Sequence, residues 1–76
     1  MSEKEWLHIF AKNLATIMYE HRMSQKELAE LIGSSESTVS RYLREIVAPS
    51  VFTIINMSYA LHCTIDELID FGSTIE

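Results

Sequence analysis

Four of the six basic side chains, Arg22, Lys26, Arg41 and Arg44, fall within residues 22–47 of this 76-residue chain, among serines, a glutamine and a glutamate that could also recognise a polar ligand. A guanidinium fork can bond O6 and N7 of guanine together, or meet phosphate oxygens, whereas an ammonium meets phosphate as a point charge. Arg41 is the best candidate for reading a base edge. The alternatives are a surface arginine on phosphate and a pair with Glu45 four residues on. Two roles are open to Glu36: accepting from cytosine N4, or complementing the positive start of a helix. Ser35 and Ser37 are small enough to let a helix start approach a duplex closely, and are equally suited to capping and solvation. Lys26 and Arg44 are candidate phosphate partners.

Catalytic chemistry finds little support. His8, His21 and His62 are scattered, and no Cys/His/Asp cluster has zinc spacing. His62 and Cys63 are adjacent, which makes a shared metal difficult, and Cys63 reads as a core residue. No glycine-rich phosphate loop or nucleophile elbow is present, so neither an enzyme nor a cofactor or metal site is expected. A single cysteine excludes an internal disulfide framework and fits a reducing cytoplasm. The N-terminal residues lack the basic-then-apolar design of a signal peptide, and no apolar run approaches the roughly 18 residues of a membrane span. A cytoplasmic protein without membrane association is therefore expected.

Net charge is −5, which taken alone argues against nucleic acid. Its distribution softens that objection. Residues 1–21 sum to −1 and residues 22–47 are neutral, while residues 48–76 hold Asp66, Glu67, Asp70 and Glu76 with no lysine or arginine. The acid is concentrated away from the candidate surface.

The elements that must position these side chains are all helices. At 47% hydrophobic and 22% charged, the chain is composed like a globular protein, and its length predicts one small domain over 1–76. Helix one is expected from about Glu3 to His21, with Trp6, Phe10, Leu14, Ile17 and Met18 on one face. Ser24 caps helix two and Glu27 completes a capping box. Gly33 ends it, turning the chain through a left-handed residue. An apolar stripe of Leu28, Ala29, Leu31 and Ile32 runs along it. Ser34 or Ser35 caps helix three, which buries Val39, Tyr42 and Leu43 and ends near Arg44 or Glu45. Pro49 breaks the chain, Ser50 caps helix four (about Val51 to Leu61), and Thr64 with Glu67 caps helix five (Ile65 to Phe71). Gly72 ends helix five and residues 73–76 should fray. Two short helices meeting at a tight turn over residues 24–44 have the layout of a helix-turn-helix.

The segment from Met23 to Phe71 resembles the lambda-repressor/Cro-type (XRE) helix-turn-helix family of bacterial and phage regulators. The matching pieces are Ser24-Gln25-x-Glu27-Leu28-Ala29, Gly33-Ser34-Ser35, Thr38-Val39-Ser40-Arg41-Tyr42, Pro49-Ser50, Ala60-Leu61 and Ile65-Asp66-Glu67-Leu68. The resemblance implies a compact all-α, five-helix domain that binds operator DNA, commonly as a dimer. By position it implies that Gln25 bonds a phosphate from the start of helix two, where free backbone amides also point. It also implies that Ser35, Glu36 and Ser37 form the exposed first turn of the recognition helix, with Ser40 and Arg41 one turn further along. Two departures stand out. Glu45, Ile46 and Val47 occupy positions where the family often has glycine followed by basic residues, and His62 replaces the usual glycine after helix four, at a cost of ~1 kcal/mol.

Helix four has two apolar faces. Ile54, Met57 and Leu61 point inward, yet Phe52, Ile55 and Tyr59 are also large and apolar at helical spacing. A helix apolar on two sides is deeply buried or meets a partner. Phe52, Ile55 and Tyr59, with Val47 and Val51, are expected in a homodimer contact; the alternative is packing against helix one near Trp6 and Phe10. The leading expectation is a dimeric transcriptional repressor on double-stranded DNA. A helix-turn-helix retained as a protein-interaction module, or an antitoxin, is the alternative.

Overall fold

The computed structural model describes residues 1–70 and contains five helices: α1 Glu3–Glu20, α2 Gln25–Ile32, α3 Glu36–Leu43, α4 Val51–Ala60 and α5 Ile65–Ile69. Every helix opens on a hydroxyl cap, at Ser2, Ser24, Ser35, Ser50 and Thr64. Ser2 with Glu5, Ser24 with Glu27 and Thr64 with Glu67 form complete capping boxes. In the second of these, the Glu27 amide donates to Ser24 Oγ over 3.0 Å and the Ser24 amide to Glu27 Oε1 over 2.8 Å. Each box satisfies two amides that the helix start would otherwise leave without partners.

The first four helices close in the same way. Arg22, Gly33, Glu45 and His62 have φ of 53°, 69°, 64° and 52°. In each case the next amide reaches back to the carbonyl five residues earlier: Met23 to Met18, Ser34 to Ala29, Ile46 to Arg41 and Cys63 to Ser58, over 2.8–3.0 Å. These are Schellman closures, for which glycine is the unstrained residue. Only α2 has it. Glu45 and His62 keep the left-handed backbone without the glycine.

The core draws on all five helices. Phe10 and Leu14 of α1, Leu28 of α2, Val39 of α3, Met57 of α4, Leu61 after it and Leu68 of α5 are fully buried. α2 packs on α3 and α4, α1 on α3 and α5, and α4 on α5. Trp6 is half-buried and stacks on Phe10, with ring centroids 5.4 Å apart and planes 5° from parallel.

Two expectations are corrected. Leu31, placed on the inward stripe of α2, is 61% exposed. Leu28, Ala29 and Ile32 define the inward face, and at about 100° per residue Leu31 falls about 100° away from its centre. α5 ends at Ile69 rather than Phe71, with Asp70 extended. There the Asn13 amide of α1 donates to the carbonyls of Leu68 (3.0 Å) and Asp70 (3.2 Å), giving these C-terminal carbonyls a partner from α1. The expected stop at Gly72 and fraying of 73–76 lie outside the described residues.

Candidate nucleic-acid interface

Gly33, Ser34 and Ser35 are all that separates α2 from α3. The left-handed Gly33 reverses the chain, and Ser35 starts α3 by accepting from the Thr38 amide at 3.1 Å. Its hydroxyl also lies 2.9 Å from Thr38 Oγ1, so Ser35 is committed to the cap.

α3 is anchored from one side. Val39 and Tyr42 are buried and Leu43 is half-buried against the same core. Ser37, Ser40, Arg41 and Arg44 fall within roughly 100° of arc opposite these residues, with Glu36 at the margin. Lys26, Ser35, Glu36, Ser37, Arg41 and Arg44 are exposed, whereas Gln25 and Ser40 are half-buried. Gln25 is the first residue of α2, beside the Ser24 cap, and Glu36 is the first residue of α3. The fold thus brings the α3 candidates onto one outward surface and sets Gln25 and Lys26 at the start of the neighbouring helix.

Two polar links at the end of α3 were not anticipated from sequence. Arg44 Nε donates to Ser40 Oγ over 3.1 Å, which uses one edge of the guanidinium and leaves its terminal nitrogens outward. Ser40 and Arg44 are four apart on a helix, so this pairing had a local signal. Glu45 Oε2 lies 2.9 Å from His8 Nδ1, joining the α3–α4 connection to α1. Residues 37 apart in sequence give no local signal of such a contact. It takes the carboxylate that the sequence offered to Arg41, and Arg41 enters no ion pair among the described residues.

The local electrostatics follow from the caps. The hydrogen bond from the Ser24 backbone, aided by the Ser24 hydroxyl, holds the Glu27 carboxyl below its ordinary range. Burial, and secondarily the charge of Glu67, pushes the Cys63 thiol up, so it stays protonated and unreactive at neutral pH. It packs against the core. Among the described residues no group of three or more His, Cys, Asp or Glu side chains could hold a metal ion, and no helix is long and apolar enough to cross a membrane.

Residues 17–68 match the sequence model of the helix-turn-helix family HTH_3, which covers most of the chain and spans α2, α3, α4 and nearly all of α5. The chain belongs to this family of DNA-binding regulators. No curated protein matches it at a significant level. Among solved structures it is similar to the SOS-response transcriptional repressor LexA from Eubacterium rectale, at 22% identity and a TM-score of 0.84, over 95% of this chain and 77% of that one. It is also similar to a hypothetical transcription factor NHTF from Neisseria, at 21% identity and a TM-score of 0.84, over 97% of this chain and 86% of that one. At such identities the likeness establishes the fold.

Proposed function

We propose that this protein is a sequence-specific transcriptional repressor of the cytoplasm that binds operator DNA as a pair of subunits. The observation that supports this reading is the outward face of α3, where Ser37, Ser40, Arg41 and Arg44 stand opposite the buried Val39 and Tyr42. Such a face can enter a major groove about 12 Å wide without exposing any core residue. Arg41, which has no competing carboxylate, reads a guanine edge. Gln25 and Lys26 at the start of α2 and Arg44 at the end of α3 meet phosphates and fix the register. Ser35, Glu36 and Ser37 bring the helix start close to the bases. Glu36 also complements the helix dipole there. Repression is steric: two α3 helices occupy half-sites about 34–36 Å apart and exclude polymerase from the operator. The test is selection of bound duplexes from a random pool. The expected product is a palindrome with half-sites one helical turn apart; a pool that remains random through the rounds would contradict sequence-specific binding.

A second reading is favoured by one observation, the exposed apolar surface of α4 and the loop before it. On that reading the helix-turn-helix serves as a protein-interaction module, antitoxins included. It requires that no duplex bind even at low salt.

A further inference from the structure

Along α3 and its closure, Glu45 is the only carboxylate within four residues of Arg41. The left-handed backbone at Glu45, with φ of 64°, lets the Ile46 amide donate to the Arg41 carbonyl over 2.9 Å. Glu45 therefore leaves the chain on the turn that carries Arg41. Its carboxylate is engaged elsewhere: Oε2 accepts from Nδ1 of His8 on α1 at 2.9 Å. The His8 and Glu45 side chains are 65% and 36% exposed, so a change of proton or of partner needs no unfolding. The recess around His8 is lined by Met1, Ser2, Lys4, Glu5, Ile9 and Glu45. Glu5 is held in the α1 capping box, where the Ser2 amide donates to its Oε1 over 2.9 Å. Lys4 stands one turn before His8 on α1 and Lys12 one turn after it. From α3 and α5, which both pack on α1, neither Arg41 and Arg44 nor Asp66 and Glu67 line the recess. Glu45 is thus the acid that another part of the fold brings to His8.

We propose that His8 is a positioning residue for base reading: by holding Glu45 it keeps Arg41 free, and its proton decides which of the two takes the carboxylate. Histidine changes charge between about pH 5 and 8, whereas arginine is charged throughout. A protonated His8 gives Glu45 a charge-assisted partner on α1. A neutral ring offers it at most one N–H and no charge. The carboxylate then passes to the permanent cation four residues before it. An Arg41 fork closed on Glu45 has fewer donors left for guanine O6 and N7. Base discrimination therefore falls as pH rises through the histidine range, while Gln25 and Lys26 keep their phosphates. Exposed pairs of this kind contribute little each, which sets the effect at about two- to fivefold per half-site.

The inference rests on Arg41 as the base reader, and it is tested with DNA and without. With DNA, the ratio of affinities for the selected palindrome and a random duplex is measured from about pH 5.5 to 8 at constant salt. Gains common to both duplexes, from protonation of His21 or His62, cancel in that ratio. The parent's ratio should fall as pH rises. Glu45→Gln should hold a high ratio at every pH, and His8→Gln should stay at the parent's high-pH level. A flat ratio in the parent, or the parent's slope kept by Glu45→Gln, overturns the proposal. Without DNA, nuclear magnetic resonance follows the Arg41 Nε–H signal. It should move together with the His8 ring signal in the parent and stay still in Glu45→Gln. An Arg41 signal indifferent to His8 in the parent also overturns the proposal. Failure of the DNA reading shows separately: an Arg41 signal that follows His8 in a protein binding no duplex at low salt leaves the exchange standing and removes the repressor.

Discussion

Arg41 and Arg44 share the outward face of α3 but are not equivalent. Arg44 is braced by Ser40, and Arg41 is held by no carboxylate. A free fork can settle bidentately on guanine, whereas a braced one presents its terminal nitrogens in a fixed direction, as a phosphate clamp requires. Arg41→Ala should therefore lose about 1–3 kcal/mol of preference at one base pair. Gln25→Ala should weaken cognate and random duplexes by the same factor, because a phosphate contact carries no sequence. Equal losses on both duplexes for the two variants would contradict the division of roles. Ser40 acts through Arg44, so Ser40→Ala should cost little once Arg44 is already alanine. A double-mutant cycle on duplex binding measures that coupling. Strictly additive losses, or a change of base preference in Ser40→Ala alone, would show that Ser40 meets DNA itself.

The helices are defined mainly at their ends. Glu27 lies below its ordinary value of 4.5, held there chiefly by the Ser24 backbone. A carboxyl depressed in the folded state stabilises the fold above its unfolded value, and that contribution is lost as pH falls through the folded value. Glu27→Gln should melt below the parent at pH 7, with the gap closing as the pH drops below about 4.5. A gap independent of pH would contradict the charge-assisted box. At the other helix ends, a left-handed non-glycine costs ~1–2 kcal/mol, part of which glycine gives back through greater freedom in the unfolded chain. His62→Gly should thus stabilise by ~0.5–1 kcal/mol, raising the melting temperature by a few degrees. Glu45→Gly should gain less, because it also removes the pair with His8. A lower melting temperature for His62→Gly would contradict the strain argument. The caps at Ser24, Ser50 and Thr64 and the turn at Gly33 were legible in sequence, and the α3 cap was narrowed to Ser34 or Ser35, because a cap bonds within three residues of itself; the Ser2–Glu5 box carried the same local signal and was missed. Arg22, an ordinary arginine, gave no sign of a left-handed backbone. The Asn13 and His8 ties were invisible for a different reason, joining residues far apart in the chain. Leu31 was misplaced because counting by three and four cannot separate the centre of a stripe from its edge.

At the scale of the whole molecule, charge and apolar surface are segregated. The outward face of α3 carries arginines and serines, α4 carries exposed apolar residues without charge, and the acid excess lies toward α5 and beyond. Such a subunit has few cations to hold DNA by electrostatics alone. Specific contacts and pairing must supply most of the affinity, and the gap between cognate and random duplexes should be wide at physiological salt. The measurement that tests this most directly is a salt titration of binding to the selected palindrome and to random duplex, read by fluorescence anisotropy. With Lys26 and Arg44 of each subunit on phosphate, log K should fall linearly against log salt with a slope of about −3.6, and the palindrome should stay the tighter ligand throughout. Absence of binding to either duplex at the lowest salt would contradict the account.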